Sequence, residues 1–543
     1  QYKQAINCYT GSFDTLISFC QTAEIPIVNI IPDPEDTTFT KTINDTLGFV
    51  KVIDSLFGKR NGFNIAEIAG MPDDIDWREE VRASAFARTF RVEKPVRRAT
   101  LHVTGLGFYE ASLNGRRIGG RPNGFVPFEV PLADLRETNL IEVACDPRTP
   151  NARWYTGAGL VRNVRLLARR GYSIVPEDVA VVTSLEPDGS ARVRVSVENA
   201  HVVQPPAGEL VVAEPKLWSP ETPNLHKLDV VAENAAGERA AVTVRYGIRT
   251  IRFTKEDGLH LNGRRYQVKG FCMHENYGAL GAAVCLPALR RQLMLAKEMG
   301  ANAIRTVHNP FAPEFFDLCD ELGLLVMDEM YDEWRLPKTK YGNHRFFDEW
   351  WQRDVQAIVR RDRNHPCVLL WSIGNEILED NKWTDGGAQA RAMVATIKEL
   401  DVSRPVTAGI CYMDSAYTNG VMEALDVIGL NYFKEWFVKL RGYKPVLGSE
   451  TAASLSLRGC YPYDEKDGRM VPVQRRGHLE SSYALTPPFV TAGTQEETLM
   501  VQRDNPWSAG EFTWCLLDYA GEPVHGGIPM NCSWPARSSY WGV

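Results

Sequence analysis

Hydrophobic and polar positions along this chain follow three successive rhythms. In residues 1–64 the signal is faint. Ile25 to Ile31 form an apolar run of strand length, and Thr46 to Phe57 place Leu47, Val50, Ile53 and Leu56 on one helical face, which predicts a short buried strand and an amphipathic helix in an otherwise unassigned α/β-like segment. From 65 to 170 the pattern becomes short alternating strands. Leu101 and Val103 alternate with polar neighbours, and Asn114-Gly115 supplies the pair that a tight hairpin turn needs, so a β-sandwich is expected. Residues 171–252 continue in strands, at Val182, Arg192 to Val197 and Val242 to Tyr246, over a span that suits an immunoglobulin-like β-sandwich.

After Asn262-Gly263 strands alternate with helical stretches, the signature of a parallel sheet. The predicted strands are Tyr266 to Phe271, Ala301 to Val307, Leu324 to Asp328, Val368 to Ile373, Pro405 to Ala408, Asp426 to Leu430, Pro445 to Gly448 and Gly510 to Trp514. Pro287 opens a helix with Leu289, Leu293 and Ala296 on its inner stripe, and Trp351, Val355, Ile358 and Val359 mark another. Eight such units predict a (β/α)8 TIM barrel over residues 253–543, whose chemistry belongs at the C-terminal ends of its strands.

Two carboxylates fall at those ends. Strand four runs into Gly374-Asn375-Glu376 and strand seven into Gly448-Ser449-Glu450. Retaining hydrolysis of a glycoside needs one carboxyl to attack the anomeric carbon and a second, about 5 to 5.5 Å away, to protonate the leaving oxygen. His274, Arg305, His308, Asn309, Asn431, Tyr432 and Trp514 close other strands and offer the donors, acceptors and aromatic face that a sugar pocket uses. Taken singly, each of these residues, Glu376 and Glu450 included, reads more simply as an exposed or packing residue; their gathering on one rim is what favours a site.

The remaining composition narrows the partner. The 543 residues are 44% hydrophobic and 24% charged, with a net charge of −7 and no basic run to meet nucleic acid or an anionic membrane. Eleven cysteines without paired spacing fit a reducing, cytoplasmic setting, although the chain begins without Met and a removed signal is compatible with it. Cys272 and Cys319 lack metal-ligand spacing, and Asp328, Glu329, Asp332 and Glu333 read as a solvated acidic loop or structural ion pairs, so neither a metal nor a cofactor is expected.

The motifs in order resemble glycoside hydrolase family two, especially its β-galactosidases. They are Val268-Lys269-Gly270, Ala279 to Ala282, Asn302 to Thr306, His308-Asn309-Pro310, Asp362 to Pro366 (DRNHP), Ser372 to Glu376 (SIGNE), Gly448 to Thr451 (GSET) and Arg537 to Tyr540 (RSSY). Upstream, Asn151 to Gly159 and Leu217 to Pro223 resemble that family's sandwich and immunoglobulin-like domains, which implies a jelly-roll-like, sugar-binding sandwich over residues 65–170. The resemblance implies Glu376 as acid/base, Glu450 as nucleophile, Asn375 at the sugar 2-hydroxyl and Tyr432 beside the nucleophile. Substrate contacts from His274, Arg305, His308 and Trp514 are implied as well. Three departures stand out: Met273-His274-Glu275-Asn276 replaces two adjacent histidines and an Asp, residues 1–64 do not resemble the family's opening strand, and the chain stops at Trp541-Gly542-Val543, where relatives continue into the last barrel helix. A barrel without its final helix is expected.

The function expected is β-galactosidase action on terminal, non-reducing β-galactosides or related oligosaccharides, with a homo-oligomer admitted. β-Glucuronidase, for which Lys434 and Lys439 are candidate carboxylate partners, and β-mannosidase are alternatives within the family. From another class, a non-catalytic glycan-binding protein or inactive fragment is the alternative.

Overall fold

The computed structural model describes residues 84–452 with short gaps, 495–517, 519–520, the strands Glu24–Pro32 and Thr42–Lys51, and five short strand segments between Tyr463 and Cys532. Two compact units are distinguished, residues 1–80 and 81–543. In the first, Glu24–Pro32 and Thr42–Lys51 form an antiparallel pair, with Val28 opposite Thr46 and Glu24 opposite Lys51. The expected strand at Ile25 to Ile31 is present. The expected helix is not: Thr46 to Lys51 is extended, because a neighbouring strand satisfies its backbone groups and Ile43, Thr46 and Val50 favour the pleated conformation over a helical one. Residues 52–57 of that predicted helix lie outside the described residues, as do Arg537 to Tyr540 and the end of the chain.

The second unit begins with two facing sheets. One runs Ser84–Arg91, Thr138–Asp146, Phe108–Leu113, Arg116–Arg121, and the other Arg165–Arg169, Arg98–Val103, Phe128–Leu132. Alternate positions point inward, and Leu101, Val103, Tyr109, Ala111, Leu113, Val130 and Val143 form their core. Asn114 and Gly115 both have positive φ (52° and 79°), the paired left-handed conformation of the predicted hairpin turn. Two three-stranded sheets follow between Val179 and Tyr246, packed around Val193, Val195, Val230 and Val244.

The barrel closes as eight parallel strands: β1 (Val268–Met273), β2 (Ala303–Thr306), β3 (Leu325–Glu329), β4 (Val368–Asn375), β5 (Val406–Ile410), β6 (Ile428–Asn431), β7 (Val446–Thr451) and β8 (Gly510–Thr513). Each overlaps its predicted run. From β2 to β8 every residue is buried, the mark of strands covered on both faces. Helix α1 (Leu286–Glu298) has Pro287 in its first turn and buries Leu289, Leu293 and Ala296. Helix α2 (Pro313–Leu322) ends at Gly323, whose φ of 71° and close approach to the Pro220 carbonyl leave no room for a side chain. Helix α3 (Phe347–Asp362) buries Val355, Ile358 and Val359, with Trp351 half-buried. Among the described residues no helix is long and apolar enough to cross a membrane.

Contacts between the sheets and the barrel set the geometry of the barrel mouth. At the N-terminal end of the barrel, Trp218 is fully buried and its indole donates to the Asp320 carbonyl (3.0 Å). Asn364, from the DRNHP run, accepts from Val181 N and donates to the Val179 carbonyl. At the opposite end Arg162 donates to Glu275 (2.8 Å) and to the Pro310 carbonyl, while Arg121 and Asn123 both donate to Asp354 of α3. Glu275 also accepts from Ala312 N, so its carboxylate is spent on holding the sandwich to the barrel.

Candidate active site

Glu376 and Glu450 meet at the C-terminal mouth of the barrel. Glu450, on β7, accepts from Arg305 Nη1 (2.9 Å) on one oxygen and from the Tyr432 hydroxyl on the other. Glu376, one residue beyond β4, accepts from Asn431 Nδ2 (3.2 Å) and from Arg153 Nη1 (3.4 Å). Its side chain is 16% exposed, against 5% for Glu450. Glu376 and Tyr432 both hold left-handed backbone conformations, φ 43° and 68°. Their amides donate to the Gly409 and Glu450 carbonyls, which fix these uncommon conformations at the rim.

Behind the pair lies a connected polar layer. Arg305, fully buried on β2, donates to Glu329, to Asn375 Oδ1 (2.7 Å) and to the Ser449 carbonyl as well as to Glu450. Burial opposes its charge, but Glu329 and Glu450 hold the guanidinium above its ordinary pKa. Asn431 donates to Asn375 Oδ1 and accepts from Ser449 Oγ. Gly409 on β5 makes room for this layer: a Cβ there would sit 2.8 Å from Arg305 Nη2 and 2.9 Å from both Asn375 Oδ1 and Asn431 Oδ1.

Electrostatically, burial and the nearby Glu376 charge push Glu450 up to about 7, against the pull of Arg305 and Tyr432. Burial likewise raises Glu329 to about 7, against Arg305. His274 and His308 form a wall with Trp154, Trp514 and Tyr519. His308 stacks on Trp514 (5.4 Å between centroids, 10° between planes), and the His274 ring lies 4.9 Å from Trp154 and 4.2 Å from Tyr519. Burial lowers His274 to about 3 and His308 well below its ordinary value, so both face the mouth as neutral rings. Asn309 is buried beside them, but its amide donates to the adjacent Pro310 carbonyl and stays apart from the carboxylate layer.

Asp328 is fully buried within β3, and Glu329, Asp332 and Glu333 are enclosed and paired, so for these three the solvated-loop reading gives way to the ion-pair one. Glu329 meets Arg305 and His308, Asp332 meets Arg153 (2.6 Å) and Lys338 (2.9 Å), and Glu333 meets His344. Burial alone would raise Asp332; Arg153 and Lys338 hold it well below the carboxylate range. Asp332, Lys338, Arg153 and Trp154 are members of the mouth that periodicity could not reveal, since the last two arrive from a sandwich loop. Their one signal was the Asn151 to Gly159 motif. Asp320, His365 and Cys367 bring ligand atoms within 4.8 Å of one another, but His365 and the Cys367 amide already bond to Asp320, and the cluster lies at the other end of the barrel.

Residues 252–452 match the family described as glycosyl hydrolases family 2, TIM barrel domain, and residues 177–249 match glycosyl hydrolases family 2. The chain belongs to glycoside hydrolase family 2. This family 2 chain is 33% identical to the β-galactosidase BoGH2A of Bacteroides ovatus, over 87% of its own length and 63% of that protein's. It is 29% identical to human β-glucuronidase, over 72% and 65% of the two lengths. Among solved structures it superposes on a β-glycosidase from Bacteroides vulgatus with a TM-score of 0.71 at 27% identity, covering 87% of this chain and 67% of that one. The chain thus spans under two thirds of the length of both curated relatives.

Proposed function

We propose that the protein is a retaining exo-β-glycosidase acting on terminal β-galactosides, with Glu450 as nucleophile and Glu376 as acid/base. The observation that carries this is the unequal setting of the two carboxylates. Glu450 is the more buried and is gripped by Arg305 and Tyr432, which aim it as a nucleophile, whereas Glu376 is the more exposed and faces the open mouth, where a leaving group departs. Glu450 then attacks the anomeric carbon while Glu376 protonates the departing oxygen; Glu376 next takes a proton from water, which attacks the same carbon and releases Glu450. Asn375, held by Arg305, and the neutral wall of His274, His308 and Trp514 receive the sugar.

Galactose is favoured over a uronic acid by the charge inventory. Among the described residues, Arg305, Arg153 and Lys338 at the mouth already face Glu329, Glu450 and Asp332. The two lysines considered as uronate partners are engaged elsewhere, Lys434 with Glu497 and Lys439 over the Trp436 ring. Likeness to a β-galactosidase over most of this chain supports the same reading.

A panel of 4-nitrophenyl β-glycosides tests it, with galactoside turnover expected and glucuronide or mannoside turnover redirecting the substrate. Azide rescue assigns the roles. Glu376→Ala should give β-galactosyl azide from the covalent intermediate, and Glu450→Ala the α-azide by direct entry at the vacated face; the reverse pattern would exchange the two roles.

A further inference from the structure

A cleft opens between the sandwich and the barrel, with Trp154, His308, Asn309 and Asp332 at its inner end and Arg148, Tyr341 and Arg345 at its outer end. Neither catalytic carboxylate lines it. It adjoins Glu376 through one step of bonding: Asp332 at its wall accepts from Arg153, whose other arm reaches Glu376. The acid/base stands on the side from which a leaving group departs, so a sugar released or retained there enters this cleft.

Its outer end carries an unbalanced positive charge. The Tyr341 ring has Arg148 5.3 Å from its centroid on one approach, Arg345 at 5.6 Å on another and Lys340 at 4.9 Å. Arg148 is matched by Asp146, whereas among the described residues the Arg345 guanidinium donates to main-chain carbonyls alone, those of Gly342 (3.3 Å) and Tyr341 (3.0 Å). Glu333, the other acid of the cleft, is occupied by His344 and by Lys338 N. An aromatic ring beside a guanidinium that lacks a carboxylate partner suits a sugar carrying a negative group, with the ring under the sugar's apolar face and the guanidinium on the anion.

We propose that this cleft is a leaving-group subsite for an anionic sugar, whose carboxylate or sulfate meets Arg345 over Tyr341. The proposal rests on Glu376 being the acid/base, and deepens the substrate class to β-galactosides of acidic sugars.

The test compares kcat/KM for galactosyl-β-1,4-N-acetylglucosamine, its 6-sulfated form, and galactosyl-β-1,3-glucuronic acid. At least one acidic substrate should be preferred by about tenfold, the scale of a charge-assisted hydrogen bond, and the one preferred identifies the anion as sulfate or carboxylate. In Arg345→Gln that ratio should fall to about one, while Arg194→Gln, at an exposed position of the immunoglobulin-like sheets, keeps it. Calorimetry with free N-acetylglucosamine 6-sulfate, glucuronic acid and N-acetylglucosamine reads the subsite without turnover. An acidic sugar should bind the wild type about tenfold more tightly than Arg345→Gln. Equal ratios for acidic and neutral leaving groups, or binding indifferent to Arg345→Gln, would overturn the subsite. Absence of galactoside turnover with Arg345-dependent binding intact would instead overturn the assigned activity and leave the subsite standing.

Discussion

Arg153, carried on a loop of the β-sandwich, donates to Asp332 of the barrel at 2.6 Å and extends its other arm to Glu376. One cation from the sandwich thereby stands beside the proposed proton donor of the barrel. Arg153→Ala removes the arm that reaches Glu376 and leaves Asp332 to Lys338 and Asn375. For a substrate with a poor leaving group kcat should fall by about tenfold as the carboxyl loses a positioning contact, while a substrate whose leaving group needs no protonation is turned over nearly as before. An equal loss on both substrates would remove Arg153 from this role.

Tyr432→Phe tests the opposite partner. Its hydroxyl favours ionised Glu450, so deleting it should shift the acidic limb upward, because more of the nucleophile stays protonated at a given pH. A loss in kcat of about 10² is expected, the usual cost of one preorganised donor. Measurement of the full pH profile separates this from a general loss of folding.

Gly409→Ala asks how tightly the polar layer is packed. The added methyl would press on Arg305, Asn375 and Asn431 together, none of which can retreat without breaking a bond to another member. We expect kcat to drop by about 10² through displacement of the carboxylates, with the circular dichroism spectrum unchanged. A fully active Gly409→Ala protein would show that the layer has slack.

Glu511, on β8, bears on stability. It is buried, neither of its oxygens has a hydrogen-bond partner among the described residues, and burial raises it from 4.5 to about 7. The folded state therefore keeps this proton up to about pH 7, whereas the unfolded chain releases it near 4.5. Stability conferred by the protonated group is complete below 4.5 and is lost as pH rises toward and through 7. Glu511→Gln should unfold at higher denaturant than the parent at pH 8, by on the order of 3 kcal/mol, and at nearly the same point at pH 4.5. Parallel curves at both values would show that Glu511 finds a partner when charged.

The barrel was legible because strands buried on both faces are nearly continuous apolar runs, and because Glu376 and Glu450 follow such runs directly. The helix expected at Thr46 failed because a 3.6-residue stripe in a short window is outweighed once a second strand offers a ladder. Asp332 and Glu333 were hard to place for a different reason. Acids are usually solvated, and their burial depends on Arg153, Lys338 and His344, partners that only the folded arrangement brings to them. Glu275 stood out as a departure near the site, and its engagement by Arg162 shows a carboxylate serving domain assembly.

The two histidines of the mouth have a kinetic consequence. With His274 at about 3 and His308 also well below its ordinary value, neither imidazole takes on charge across the range in which the proposed catalytic pair operates. The surface they present to a sugar stays uncharged at every such pH, so KM for an uncharged glycoside should show no histidine titration while kcat traces the carboxylates.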